Sequence, residues 1–469
     1  MSSFPITVTL QRSNKENSKP YYTKRVSCEG DTVTLTPDDY AAGHSLYALV
    51  PRFVVAYPVY AATSVDAHND FPQYKRWTDG LTNDFGVKLG KNSSVAAWDN
   101  LWGSTGFHFH GVVWTGQNKA ITFTGDDRAM NNVSLDLGGP TMASGGSGVA
   151  ITSFRNSIGQ DFGQHFFSIG LDGSVNILKI LAPDEVTNKP GETTTIAPAG
   201  SAMTVGGGSI CVVYSWLENF KDDIWDAWWV SPDGHLTHSQ FHGTSTIAPK
   251  VWGRTKVWHS DDQVTALTGE SLRDRWGGMQ DSTDTIVWFV AKHGTGQKGI
   301  LYQTTRVDGE VSTAEVQQDD SECYVAPGSG ISSEVSNKGP IVAWITAEGA
   351  VMTLLQDFKV ENDPVFKQIA PPGSAALEST VRIGGAFIWW FGPNYELMAA
   401  YSENRFQQDI EYKDITWSTW EVLPAGVGRK GKDSIATGGG NGNSVWFAGA
   451  DDLAHNIYLD DSDQFDQYI

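Results

Sequence analysis

Cysteine is scarce in this chain: three residues in 469, Cys28, Cys211 and Cys323, set far apart. So low a count does not make a disulfide framework, and it predicts buried reduced thiols instead. Positive charge is short as well, with 33 Lys and Arg against 54 Asp and Glu and a formal net charge of −21. A surface this acidic repels phosphate backbones and anionic lipid, which argues against nucleic-acid and membrane partners. No apolar run approaches the roughly 18 residues of a membrane span. Met1-Ser2-Ser3-Phe4-Pro5 has neither the basic nor the apolar region of a secretory signal. The expectation is a cytoplasmic protein, in which the sequons at Asn92 and Asn132 are incidental. The G-x-S-x-G elbow of serine hydrolases is missing. Gly206-Gly207-Gly208 and Gly438-Gly439-Gly440 are followed by no helix start that could receive a phosphate, so they read as turns. Long capped amphipathic helices are absent too.

What is present is aromatic and glycine-rich. The chain is 40% hydrophobic and 12% aromatic with 18 Trp, enough for a well-buried core, and its 50 Gly supply many tight turns. A phrase returns every 45 to 70 residues or so, the sign of a solenoid or propeller. A small residue leads into a Ser and a short strand, then a turn rich in Gly, Asn and Asp, then a strand with large aromatics. Clear copies run from Ser329-Gly330-Ile331 to Ile341-Val342-Ala343-Trp344 and from Ser374-Ala375-Ala376 to Phe387-Ile388-Trp389-Trp390. A third runs from Ser434-Ile435-Ala436 to Ser444-Val445-Trp446-Phe447.

First strands of such units are read near Ser94, Ser147, Ser201, Ser271, Ser329, Ser374 and Ser434. Second strands include Tyr214-Ser215-Trp216, and Ile224 to Val230 reads as a third strand. Hairpin signals stand at Asp172-Gly173, Asp233-Gly234, Asp308-Gly309 and Glu348-Gly349. The segment from Gly243 to Thr268 reads as an insertion. The predicted fold is all-β: a β-propeller of seven blades of about four antiparallel strands, six or eight being the alternatives. Residues 93–469 form the propeller. Residues 1–92 hold two alternating runs, Ile6 to Leu10 and Thr32 to Thr36, separated by a polar loop from Arg12 to Lys24. One of these runs is expected to close the ring by completing the last blade, which ends one strand short.

The first strand of each blade lines the axis, so polar residues there are the natural ligand-binding candidates. They are Asp99, Arg155, Arg273, Asp274, Arg275, Glu334, Glu378 and Arg382, a set able to orient hydroxyls or carboxylates. The competing reading is structural ion pairs or water-solvated strand residues. His108, His110 and His165, with Arg275 and Glu334, are the acid/base candidates if the axis is catalytic. His108 and His110 share a strand face. They and the cluster His235, His238, His242 match no zinc signature, so no metal and no cofactor is predicted. Paired tryptophans such as Trp228-Trp229 and Trp389-Trp390 point to opposite faces of a strand, which in a propeller buries both; the alternative is an exposed platform for sugar rings.

The repeated unit, the start Val149-Ala150-Ile151-Thr152-Ser153-Phe154 and the tryptophan count resemble the Trp-rich propeller lectins, of the fucose-binding and tectonin-like types, over residues 93–469. The resemblance implies a non-catalytic carbohydrate- or glycoconjugate-binding propeller. The Arg, Glu and Trp trio of fucose-binding pockets does not recur here, so no sugar-binding residue is carried over. The units are alike in core residues and unequal in polar ones. That inequality keeps open an enzyme with one axial site acting on a small molecule (a lyase, a hydrolase or a cyclisation), and beside it a protein-binding scaffold.

Overall fold

A computed structural model describes residues 4–10, 22–28, 74–75, 95–100, 109–116, 119–124, 133–136, 149–155, 161–181, 192–204, 209–217, 222–243, 250–256, 263–271, 284–292, 299–307, 310–316, 324–335, 339–356, 364–384, 387–402, 412–423, 425–431, 434–438, 444–450, 452 and 454–458. They are all-β apart from one short 3-10 turn, Tyr412–Asp414. No helix among them is long and apolar enough to cross a membrane.

β1 (Phe4–Leu10) and β2 (Tyr22–Cys28) pair only with each other, and β3 is the two-residue strand Tyr74–Lys75. Antiparallel sheets then follow in chain order. The first is β4 to β7 (Val95–Asn100, Phe109–Gly116, Lys119–Thr124, Val133–Asp136), and the second β8 to β11 (Val149–Arg155, Asp161–Ile169, Val175–Leu181, Glu192–Ala197). The third is β12 to β15 (Ile210–Leu217, Asp222–Val230, Leu236–Gly243, Lys250–Lys256). The fourth has five strands, β16 to β20 (Gln263–Ser271, Thr285–Lys292, Gly299–Val307, Glu310–Glu315, Tyr324–Val325), of which β19 and β20 both pair with β18. The fifth is β21 to β24 (Ser332–Val335, Pro340–Ile345, Val351–Leu355, Val365–Ala370), and the sixth β25 to β28 (Val381–Gly384, Phe387–Phe391, Leu397–Tyr401, Ser418–Leu423). The last is β29 to β31 (Ile435–Gly438, Ser444–Ala448, Ala454–Tyr458), with β3 on its outer edge. The first strand of each sheet lies beside that of the next, and β29 lies beside β4.

Four sequence expectations are corrected here. Ile6 to Leu10 does not complete the last sheet; it pairs with β2, while Tyr74 and Lys75 pair with Ile457 and Asn456. Tyr22 to Lys24, read as loop, begins β2, and Thr32 to Thr36 lies outside the described residues. In the third sheet the strand frame shifts by one: Tyr214-Ser215-Trp216 belongs to the first strand and Ile224 to Val230 to the second. The segment after Gly243 is then no insertion, since it supplies β15 and β16.

The repeated phrase has a mechanical reason. In the hairpin between second and third strands, one residue adopts a left-handed conformation and donates its N–H back across the turn. Gly173 (φ 78) bonds Gly170 O at 2.9 Å and Gly349 (φ 79) bonds Thr346 O at 2.9 Å. Tyr395 (φ 61) and Asp452 (φ 63) hold the same position in later sheets. The linker to the next sheet is then pinned on that hairpin: Gly200 N–H donates to Asp172 O at 2.7 Å, and Gly373 N–H to Glu348 O at 2.9 Å. Each sheet therefore fixes where the next begins.

Between sheets, apolar layers interleave. Trp228 faces the fourth sheet with Val287 and Phe289, and its neighbour Trp229 faces the second with Phe167 and Ile177. Trp389 and Trp390 divide in the same way between the layers on either side of the sixth sheet. The period of two along a strand produces the division. Each such ring buries about 150–250 Å², or roughly 4–6 kcal/mol of transfer free energy per tryptophan.

Candidate functional site

The first strands β4, β8, β12, β16, β21, β25 and β29 all contribute to the lining of a cavity of ≈ 240 Å³. Strands that splay from a common axis cannot ladder continuously with one another, so their inward polar groups need other partners. Side chains supply them here. Thr268 Oγ1 lies 2.8 Å from Ser333 Oγ and accepts the Ser333 N–H at 3.1 Å, while Ser333 Oγ donates to Glu270 Oε1 at 3.2 Å. These bonds tie β16 to β21. Ile383 N–H donates to Ser332 Oγ at 3.2 Å, tying β21 to β25, and Thr437 Oγ1 donates to Ile383 O at 3.3 Å, tying β25 to β29.

Arg382 spans the same three strands. Its Nε donates to Ile435 O at 2.8 Å and its Nη1 to Ile331 O at 2.9 Å. Two bonds hold the planar guanidinium in one orientation against the cavity wall.

The lining mixes polar and apolar groups, with Leu267, Ile383 and Ala436 among the hydroxyls and Ser209 among the apolar side chains. Thr268, Ser332, Ser333, Arg382 and Thr437 give hydroxyls and a guanidinium on the fourth to last sheets. Val95, Ala96, Ala150, Ile210 and Val212 give apolar side chains on the first three. Cys211 lies on the lining as well. Burial, reinforced by the charges of Glu270 and Asp226, holds its thiol well above the ordinary cysteine range. It is therefore a protonated, weakly nucleophilic group at neutral pH.

Of the ligand candidates read from sequence, Arg382 reaches the cavity. Glu334 is on β21 opposite Ile341, but it is not part of the lining. Asp99 sits in β4, opposite His110 in β5, and Arg155 ends β8; the side chains of all three lie outside the described residues. Arg273, Asp274 and Arg275, expected on an innermost strand, come in sequence after Ser271, the last residue of β16. They and His108 fall outside the described residues. Glu378 is on an exposed turn (φ 62) and pairs with Lys430. His165 is buried on β9, with its ring 4.6 Å from that of Trp225, between the second and third sheets and away from the lining.

The sequence reading missed a second polar cluster. Asp226 on β13 is wholly buried, and its Oδ1 lies 2.7 Å from His238 Nε2 on β14. Arg306 on β18 of the next sheet donates Nη2 to its Oδ2 at 2.6 Å. The His238 ring stacks on Trp228, centroids 4.2 Å apart. All three polar side chains are shut from solvent, so the cluster braces the third sheet against the fourth and offers no surface to a ligand. His235 turns instead to Asp233, 3.0 Å away. Among the described residues no group of three or more His, Cys, Asp or Glu is placed to hold a metal.

No family model matches the chain, and no curated protein matches it. Solved structures similar to it include an arginine triple mutant of AofleA from Arthrobotrys oligospora, at TM-score 0.43 and 11% identity, covering 77% of this chain and 93% of that one. A six-bladed β-propeller fungal lectin, the fucose-recognising Aleuria aurantia lectin, aligns at TM-score 0.41 and 10% identity over 72% of this chain and 97% of its own. A putative 6-phosphogluconolactonase from Bacteroides uniformis aligns at TM-score 0.41 and 9% identity over 79% of this chain and 93% of its own. At these scores the likeness assigns no ligand to the chain.

Proposed function

We propose that the chain is a closed seven-bladed β-propeller that binds a single carbohydrate ring in its axial cavity and catalyses no reaction on it. The blades are the sheets described above, and β3 closes the ring. The observation that carries the reading is a lining that offers both hydroxyl and apolar side chains. Hydroxyls of Thr268, Ser333 and Thr437 and the oriented guanidinium of Arg382 suit a polyhydroxylated edge, while Ala96, Ala150 and Val95 suit the C–H face of the same ring. The volume of ≈ 240 Å³ leaves room for a small ligand such as one sugar ring. Its described polar groups are hydroxyls, a guanidinium held by backbone carbonyls and a thiol kept protonated. Such groups bind and orient; they do not abstract a proton at neutral pH.

Calorimetric titration with a panel of monosaccharides and their methyl glycosides tests this. Wild type is expected to show one saturable site for at least one sugar. Ala150→Leu, which enlarges an apolar residue of the lining, is expected to abolish it with little change in melting temperature. No sugar binding, or binding unchanged in Ala150→Leu, would overturn the reading.

A further inference from the structure

The fourth sheet carries a strand that differs from its counterparts. In the second and fifth sheets the outermost strand ends in a buried residue paired with the start of the third strand: Ala197 with Val175, and Ala370 with Val351. In the fourth sheet that duty falls to Val325, buried and paired with Gly299. β19 is thus freed from packing. It forms a hairpin ribbon with the far half of β18, and all six of its residues are exposed.

Its hydrogen-bonding edge follows from one bond. Val316 N–H donates to Leu301 O at 2.9 Å, so the pair 301/316 is of the bonded type. In an antiparallel ladder the two types alternate. Thr305/Ser312 and Gln303/Ala314 are then bonded pairs, and Val311, Thr313 and Glu315 turn their N–H and C=O groups outward. Among the described residues no strand pairs on that outer edge. Such a row is a template for an added strand.

Charge selects the occupant. Glu310 and Glu315 stand at the two ends of β19, and the cation of the ribbon, Arg306, is buried on Asp226. A second copy added antiparallel and centred on Thr313 would set Glu315 opposite Val311 and Glu310 opposite Val316, so neither acid would gain a cation. An incoming strand with Lys or Arg at its ends would pair with both. We infer that the free edge of β19 docks an extended, basic peptide segment of a partner protein as a further strand.

The test titrates a fluorescent hexapeptide, Lys-Val-Thr-Val-Thr-Lys, and its Glu-ended counterpart into the full chain, read by anisotropy. Wild type is expected to bind the Lys-ended peptide, more weakly at higher salt, and to prefer it over the Glu-ended one. Thr313→Pro removes an outward N–H that the ribbon itself does not use, and should weaken binding at least tenfold with the far-UV circular dichroism unchanged. The double variant E310K/E315K needs no proline and should reverse the preference. The inference is overturned if wild type binds neither peptide, if Thr313→Pro binds as wild type, or if the charge reversal leaves the preference as it was. Concentration-dependent dimerisation lost in Thr313→Pro would overturn it in favour of a second copy.

Discussion

The indole N–H of Trp390 donates to the carbonyl oxygen of Ser374 at 3.0 Å, and Trp229 makes the same bond to Ser201 at 3.0 Å. In both places a second-strand tryptophan clamps the linker that leads into its own sheet. Replacing Trp390 with Phe keeps an aromatic ring, removes part of its volume and leaves a buried carbonyl without its donor. We expect a loss of about 1–3 kcal/mol, read as a lower urea midpoint at unchanged m-value. Trp229→Phe should behave alike.

Asp226 is the hinge of the buried brace, because both His238 and Arg306 depend on its carboxylate. Asp226→Ala takes the carboxylate away from the buried Arg306 guanidinium, which costs about 3–5 kcal/mol. Arg306→Met removes the opposite charge and should cost as much on its own. The double variant should lose clearly less than the sum of the two, and a double-mutant cycle by chemical denaturation reads that coupling.

Gly173 and Gly200 share the left-handed conformation, at φ 78 and 75, yet a methyl group would meet different surroundings. At Gly173 a Cβ would lie 2.8 Å from the Ala202 carbonyl oxygen; at Gly200 it would touch nothing within 4 Å. Gly200→Ala should therefore cost the backbone strain alone, about 1–2 kcal/mol. Gly173→Ala should cost more, because the linker must also move. Melting temperatures of the two variants give the order.

Much of the scaffold was legible in the sequence. The paired tryptophans declare a strand buried on both faces, and Asp172-Gly173, Asp233-Gly234 and Glu348-Gly349 mark hairpins that the structure contains. The frame slipped in the third sheet because β12 and β13 are both long and aromatic, so either can pass for a second strand. An edge strand of two residues, Tyr74 and Lys75, is too short to show any alternation. The cavity was sought among charged residues, whereas inward positions on splayed strands are filled by side chains small enough to fit and able to bond a neighbouring backbone. Thr268, Ser332, Ser333 and Thr437 meet both needs, and short hydroxyl residues on first strands were the signal available. Asp226 and Arg306 are 80 residues apart, and no local pattern joins them.

Cys211 gives a pH prediction. Burial raises its folded-state pKa, so the native thiol stays protonated where the unfolded one, near 8.5, has begun to ionise. The unfolded state then binds fewer protons, and stability falls as pH rises. The contribution is fully present below about pH 8 and is lost above it, at up to ~1.4 kcal/mol per pH unit for one site. Urea unfolding at pH 7, 8, 9 and 10 should show a steeper decline in wild type than in Cys211→Ala.

The position of a bound sugar is the most direct test of the account. A crystal of the full chain soaked with the monosaccharide that titrates tightest should show one ring inside the ring of first strands. Its hydroxyls should face Thr268, Ser333 and Arg382, and its C–H face Ala96 and Ala150. A sugar seated between two adjacent sheets or on the outer rim, with the axial cavity filled by water alone, would contradict it.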